Sequence, residues 1–344
     1  MNYTDENSNG TLTIQPDFYR TLAEIKESRF TFDTTPISKD VDFEPFIFPE
    51  GKSKLSALED LKSYSLNAEN GHNQLKKDRL ISGYDESMNT YLALEGESHL
   101  TVHSIVTHGE RDYIPNTMVS YYFYTKAKKY AEGKKSIRYS TEIEGDSNRD
   151  YALDRLYFLM DKVKPHSIVF IDGPLIGGQI SEYTRQMNSG LLKKDIIPIF
   201  FVKNSNSNLI TDNLESLKGQ YNSDMDWAQK TIKFGERTSW FRYIDQDNQK
   251  NGKIFCYFKT SNLTVQRIEI HIETYFKYSS DLNDLIDLSY YLLRVQGSVI
   301  NPQIRTIAIA EKYAREILNL VKRNKIIFGG LTPTMNTIRF QEVF

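Results

Sequence analysis

Carboxylates at the ends of apolar runs are the residues of this chain best suited to chemistry. Ser167-Ile168-Val169-Phe170-Ile171 runs straight into Asp172, and the turn pair Gly173-Pro174 follows. A continuous apolar run bounded by turn residues predicts a strand buried on both faces. Asp172 then stands at its carboxyl end, the edge where open α/β sheets hold ligands. A carboxylate there costs free energy unless it is paired, so Asp172 either caps the strand end or binds a cation. Leu94-Glu95-Gly96 repeats the pattern after a short apolar stretch from Tyr91. If the two strands are parallel neighbours, Glu95 and Asp172 share one sheet edge.

Between these acids lie Glu142, Glu144 and Asp146, then Asp150 and Asp154 on a predicted helix. Hard oxygen ligands of this kind select Mg²⁺ or Mn²⁺. Carboxylates that share a site repel each other, and a divalent cation neutralises them. Two such ions roughly 4 Å apart form a clamp for in-line displacement at phosphorus. Glu142, Glu144 and Asp146 fit a solvated loop and helix cap equally well. Asp154 lies nearly opposite the apolar face of its helix, and Asp150 flanks that face and reaches a sheet edge better.

The elements that must position these acids follow from periodicity. Residues 1 to about 83 form a polar N-terminal arm with an amphipathic helix over 16–28 and a second short helix near 55–64. Strands are predicted at 91–96, 100–108 and 117–126, a helix over 147–163, and the strand that ends at Asp172. A helix over 181–188 and a buried strand at 196–203 come next, the latter made irregular or placed near an edge by Pro198. The stretch 204–213 is a polar loop in an insertion where Asp224 and Asp226 are expected to be solvated. An antiparallel pair at 254–258 and 264–272 and two helices, 281–296 and 302–322, complete a mixed sheet flanked by helices.

The 344 residues suffice for one large domain or two. The net charge of −2 gives no global basic footprint, so nucleic-acid binding needs a local basic surface. The 22 Tyr and 19 Phe suit either base stacking or strand and core packing. The single cysteine, Cys256, excludes an internal disulfide and a cysteine-rich zinc site. A polar, acidic start and the lack of a long apolar run predict a cytoplasmic protein with no membrane span. His99 and His103 fall on a strand and do not form a helical zinc pair, and no serine or cysteine triad has supporting context. No strand is followed by a glycine-rich phosphate loop, which argues against a nucleotide-driven motor or a nucleotide-binding regulator.

Together these segments resemble the NurA nucleases, which work with the hexameric ATPase-translocase HerA. Leu92-Ala93-Leu94-Glu95-Gly96-Glu97-Ser98 is similar to the family's first motif, an apolar strand that ends in Asp-Gly-Ser. Residues 168–175 resemble its second strand motif. Phe201-Val202-Lys203, Gly235-Glu236-Arg237-Thr238-Ser239, Arg267-Ile268-Glu269 and Ala310-Glu311-Lys312-Tyr313-Ala314 follow in the family's order. The resemblance runs from about residue 90 to 314.

It implies a ribonuclease-H-like α/β fold, with an arm at 1–85, a nuclease domain at 86–325 with a polar insertion near 204–253, and a tail at 326–344. It implies a manganese-dependent DNA nuclease, a 5′-to-3′ exonuclease and single-strand endonuclease. It also implies a homodimer that docks on a HerA-type ATPase in DNA end processing or anti-phage defence. Glu95, Asp172 and Glu311 would hold two Mn²⁺ or Mg²⁺ ions, with Glu144 or Asp150 as a further catalytic acid and Asp154 competing for that place. Lys203, Arg237 and Arg267 would contact DNA phosphates or pair with acids. Arg267 and Glu269 share a strand face and suit each other. Glu95 stands where the family has Asp, and Glu311 where it has His or Asp. Those departures motivate a second expectation, a catalytically weak scaffold that binds HerA and guides DNA.

Overall fold

The computed structural model describes residues 46–47, 54–108, 113–133, 137–175, 180–244, 252–261, 265–298, 301–323, 331–332 and 334. The helix expected over 16–28 and most of the tail at 326–344 lie outside them. Strands β1 (Phe46–Ile47), β2 (Lys54–Ala57) and β3 (Tyr64–Ser65) precede helix α1 (Ala68–Gln74). Three long strands follow, β4 (Leu80–Ala93), β5 (Gly96–His108) and β6 (Tyr113–Thr125), then α2 (Lys128–Ala131) and β7 (Ile137–Tyr139). Helix and strand next alternate as α3 (Ile143–Lys162), β8 (Ser167–Asp172), α4 (Ser181–Lys193) and β9 (Ile196–Val202). Helix α5 (Asp224–Thr231) leads to β10 (Glu236–Arg237), β11 (Phe241–Ile244), β12 (Gly252–Lys259) and β13 (Val265–His271). Helices α6 (Ile272–Tyr278), α7 (Leu282–Gln296) and α8 (Arg305–Arg323) close the described chain.

The strands form one mixed sheet in the order β1-β2-β11-β12-β13-β9-β8-β4-β5-β6-β7, with β10 joining β12 to β3. Strands β4, β5 and β6 are antiparallel, and β8 is parallel to both β4 and β9. The run β6-β5-β4-β8-β9, fed by the crossover helices α3 and α4, is a ribonuclease-H-like arrangement. The expected α/β fold, a mixed sheet flanked by helices, is the observed one.

Alternation along β8 shows how both faces are covered. Ile168 and Phe170 meet α7 and the start of α8, in a core with Leu285, Leu288, Ile304 and Ile307. Val169 and Ile171 meet α3 and α4, in a core with Leu156, Leu159, Met187 and Leu191. Period-two alternation under two helical layers explains why the run is apolar throughout.

Several elements differ from expectation. Strand β4 is a single strand of 14 residues, and the predicted strand at 91–96 takes in only its last three residues and the turn into β5. Lys54–Ala57 is a strand that pairs with β11, not a helix. Pro198 lies in an interior strand. Pairing of β13 with β9 covers only Phe200–Val202, so Pro198 interrupts no ladder on that side. The insertion packs on the sheet: Trp227 and Ala228 of α5 and Ile210 and Leu214 share a core with Leu55, Phe255 and Tyr257 of the strands. Asp224 is fully buried, not solvated. Its Oδ1 accepts from the backbone N–H groups of Ile210 and Thr211 at 2.9 and 2.8 Å.

Gly83 determines how closely α8 approaches β4. A Cβ there would stand 2.4 Å from the backbone of both Thr306 and Ile307, so only glycine admits this contact. The C-terminal half of α8 then covers Leu100 and Val102 of β5 with Ala314 and Leu318.

Candidate active site

Register brings two aspartates to one edge. Tyr84 of β4 is opposite Ile171 of β8, the last rung between these strands. The next residues on each strand are Asp85 and Asp172. They share the face of Ile81 and Phe170, over which α8 lies. One turn beyond Ile307, the helix presents Glu311. Asp85, Asp172 and Glu311 each bring a carboxylate oxygen within 4.8 Å of the others.

Lys203 follows β9, and its Nζ is 2.6 Å from Asp172 Oδ2 and 3.6 Å from Glu311 Oε2. Gln303 Nε2 donates to Glu311 Oε2 at 2.9 Å, and Arg315 pairs with Glu311 Oε1. Burial raises the Asp172 carboxyl above its usual pKa even though Lys203 works against it. Glu311 goes the other way, because the Gln303 hydrogen bond and the charges of Lys203 and Arg315 outweigh its burial. Asp85 is 8% exposed. Burial, the charge of Asp172 and that of Glu86 push its pKa up to about 7.

The donor set fits a divalent cation. It offers three hard oxygens from three elements, and the lysine ammonium contacts only two of them. The charge left over is the deficit that a cation corrects.

Of the predicted acids, the structure brings together Asp172 and Glu311. Glu95 stands at the hairpin tip between β4 and β5, ten residues past Asp85, or about 33 Å at roughly 3.3 Å per residue. Its carboxylate accepts from the N–H and hydroxyl of Thr332 at 2.9 and 2.7 Å. Asp150 is engaged by Tyr124 and Arg138, and Asp154 by the Tyr122 hydroxyl at 2.9 Å. Glu144 is exposed in the first turn of α3. With Glu97, Glu142, Tyr122 and Tyr151 it lines a cleft of about 590 Å³ on the α3 face of the sheet.

The three basic residues separate. Lys203 lies within the acid cluster. Arg237 is buried against Glu59 and Asn283, with its guanidinium 4.4 Å from the Tyr64 ring centre. Arg267 is buried with Nε 2.9 Å from Glu269 Oε1 and Nη1 bonded to Ser205 at 2.9 Å. The expected pairing of Arg267 with Glu269 is therefore present.

Asp85 is the residue that sequence reasoning missed. Its signal was there: Leu80-Ile81-Ser82-Gly83-Tyr84 is an apolar strand start, and Asp85-Glu86-Ser87 keeps the Asp and Ser of an Asp-Gly-Ser motif.

A family model described as the NurA domain matches residues 66–316. Comparison with curated proteins gives no match. Among solved structures, the NurA nuclease of Sulfolobus solfataricus is similar at 8% identity and a TM-score of 0.47, covering 92% of this chain and 99% of that one. A NurA bound to dAMP and manganese is similar at 6% identity and a TM-score of 0.36, covering 85% and 88%. Endonuclease V of Ciona intestinalis, in complex with inosine-containing DNA, is similar at 14% identity and a TM-score of 0.35, covering 72% and 89%. The domain match spans well over half of the sequence, and on that ground the chain belongs to the NurA family.

Proposed function

We propose that this chain is a metal-dependent DNA nuclease that hydrolyses phosphodiester bonds. The observation that carries the proposal is the convergence of Asp85, Asp172 and Glu311 at one sheet edge. Asp85, Asp172 and Glu311 would hold Mn²⁺ or Mg²⁺, one ion or two, through their carboxylate oxygens. When bound, the metal lowers the pKa of a coordinated water and stabilises charge on the phosphoryl group. Lys203, with its Nζ 2.6 Å from Asp172 Oδ2, suits a phosphate oxygen as a point charge. Such contacts position a strand without reading its bases. Arg237 and Arg267 have structural acid partners, so the case for a phosphate contact is weaker for them than for Lys203.

Within this reading the chain is a 5′-to-3′ exonuclease and single-strand endonuclease that works as a homodimer with a HerA-type hexameric ATPase. Family membership supports this. DNA end processing and anti-phage defence are both compatible roles. No described helix is long and apolar enough to cross a membrane, which agrees with action on DNA in the cytoplasm. The scaffold reading drew on Glu95 standing in for Asp; in the reading proposed here Asp85 is the first acid instead.

The test is cleavage of end-labelled single- and double-stranded DNA with Mn²⁺, with and without the ATPase. Activity that Asp172→Asn abolishes while the protein stays folded is the expected result. A wild-type complex that never cuts, over a broad set of DNA ends, sinks the proposal.

A further inference from the structure

A chain with a net charge of −2 needs a local basic surface to hold a polyanion. Two of the three cationic residues expected to supply it are held inside the fold. The side chains of Arg237 and Arg267 are each only 5% exposed and pair with Glu59 and Glu269. Glu311 leads to a different arginine. Arg315, one turn further along α8, donates from Nη2 to Glu311 Oε1, and its side chain is 65% exposed. No other partner meets this guanidinium among the described residues. Lys203 Nζ and Gln303 Nε2 approach the other oxygen of Glu311, Oε2, at 3.6 and 2.9 Å. Ala314 and Leu318 turn to β5, and Arg315 flanks that apolar face on the side of Glu311. It therefore stands at the outer rim of the acid cluster, with donors left for a ligand.

Charge separates this flank of α8 from the larger cleft on the α3 face. Glu97, Glu142 and Glu144 line that cleft, and Lys126 is the one lysine or arginine among its described lining residues. Such a lining disfavours a phosphate. At the rim, an exposed i,i+4 ion pair contributes little and exchanges readily. The planar guanidinium matches two phosphate oxygens at once, so a phosphate can draw Arg315 from Glu311.

We propose that Arg315 holds a backbone phosphate of DNA, and that the strand reaches the acid cluster along the flank of α8 that carries Glu311 and Arg315, not through the cleft beside α3. This rests on the reading of the chain as a DNA nuclease. It moves the arginine contact from Arg237 and Arg267 to a residue that the sequence motifs did not single out.

The test is fluorescence anisotropy of a labelled single-stranded oligonucleotide with the full chain, in EDTA and over a range of salt concentrations. Arg315→Ala is expected to weaken binding roughly 10-fold. The dependence of log Kd on log salt should become shallower by about 0.7, the share of one phosphate on a single strand. Arg315→Lys should keep that slope and bind with an affinity between the two. Lys126→Ala should bind like wild type. An Arg315→Ala protein with wild-type affinity and slope leaves the guanidinium to Glu311 alone and overturns the proposal. A greater loss in Lys126→Ala than in Arg315→Ala overturns the path along α8. Cleavage with Mn²⁺ is followed in parallel. A wild-type chain that shows the Arg315 effect on binding but never cuts sinks the nuclease reading and keeps the phosphate contact. A wild-type chain that neither binds DNA nor cuts overturns both.

Discussion

Two buried acids in the same sheet have opposite fates. Glu269 of β13 is fully buried, and Asp85 of β4 nearly so. Lys253 Nζ is 2.7 Å from Glu269 Oε1, Arg267 Nε is 2.9 Å from the same oxygen, and the Leu175 N–H donates to Oε2 at 2.8 Å. Burial still opposes its charge, but Lys253 and Arg267 outweigh burial and hold its pKa below the usual value. Asp85 has burial and two neighbouring carboxylates against it, and its pKa rises to about 7. Burial is common to both, so it does not make a site. What differs is the balance of charge. A carboxylate closed off by two cations is a structural fastener, and one left in a carboxylate cluster is a place where a cation is wanted.

Removing one partner from the closed cluster should have the largest effect. Glu269→Gln leaves Lys253 and Arg267 without their buried counter-charge and is expected to destabilise the fold by about 3–5 kcal/mol. Denaturant unfolding measures this, and a wild-type midpoint would dissolve the contrast.

Next comes burial that outweighs the nearby carboxylates. Desolvation lowers the pKa of His103 and of His271 to about 4 each. Both are neutral in the fold, whereas in the unfolded chain they take up a proton near pH 6.5. The unfolded state therefore binds more protons between these values, and stability falls as pH drops from about 6.5 to 4. At 1.36 kcal/mol per unit, each histidine costs about 2 kcal/mol by pH 5. The unfolding midpoint at pH 7.5 and pH 5 checks this, and His103→Gln should remove about half of the difference.

A smaller effect tests the placement of Glu311. Gly83→Ala drives a methyl into the backbone at Thr306 and Ile307, which must move α8 off β4. A loss of about 1–3 kcal/mol is expected, with weakened Mn²⁺ binding alongside it. Unchanged metal affinity would detach α8 from the site. The smallest effect on stability belongs to the open cluster. Asp85→Asn relieves like-charge repulsion and should stabilise the metal-free protein by about 1 kcal/mol, while cleavage drops roughly 100-fold or more. Opposite signs in stability and activity at Asp85, against a pure stability loss at Glu269, is the pattern that separates the two regions.

The same contrast explains what could be read from the sequence. Asp172 was legible because β8 is short, apolar on both faces and stopped by Gly173-Pro174. Glu311 was legible through the resemblance of Ala310-Glu311-Lys312-Tyr313-Ala314 to the family's closing helix, while periodicity after Pro302 gave only the helix itself. Asp85 was not, because it sits inside β4, a strand of 14 residues. Beyond the sheet's carboxyl edge that strand continues as an amphipathic hairpin arm. The acid-glycine turn at Glu95-Gly96 marks the tip of this arm, where the sequence pattern resembles a strand end at a ligand edge. Pairing register carries the distinction, since Tyr84 lies opposite Ile171 and no local pattern encodes that. Asp224 was missed for a related reason. Its closest partners are the backbone N–H groups of Ile210 and Thr211, fourteen and thirteen residues away in the chain, and side-chain types do not reveal such bonds. The pairing of Arg267 with Glu269 was visible because it depends only on alternation along one strand.

Anomalous diffraction from crystals of the full chain grown with Mn²⁺ tests the central claim most directly. The account predicts a manganese peak bounded by Asp85, Asp172 and Glu311, with Lys203 turned away from Asp172. A peak at the hairpin tip beside Glu95, or no peak at the sheet edge at saturating Mn²⁺, would contradict it.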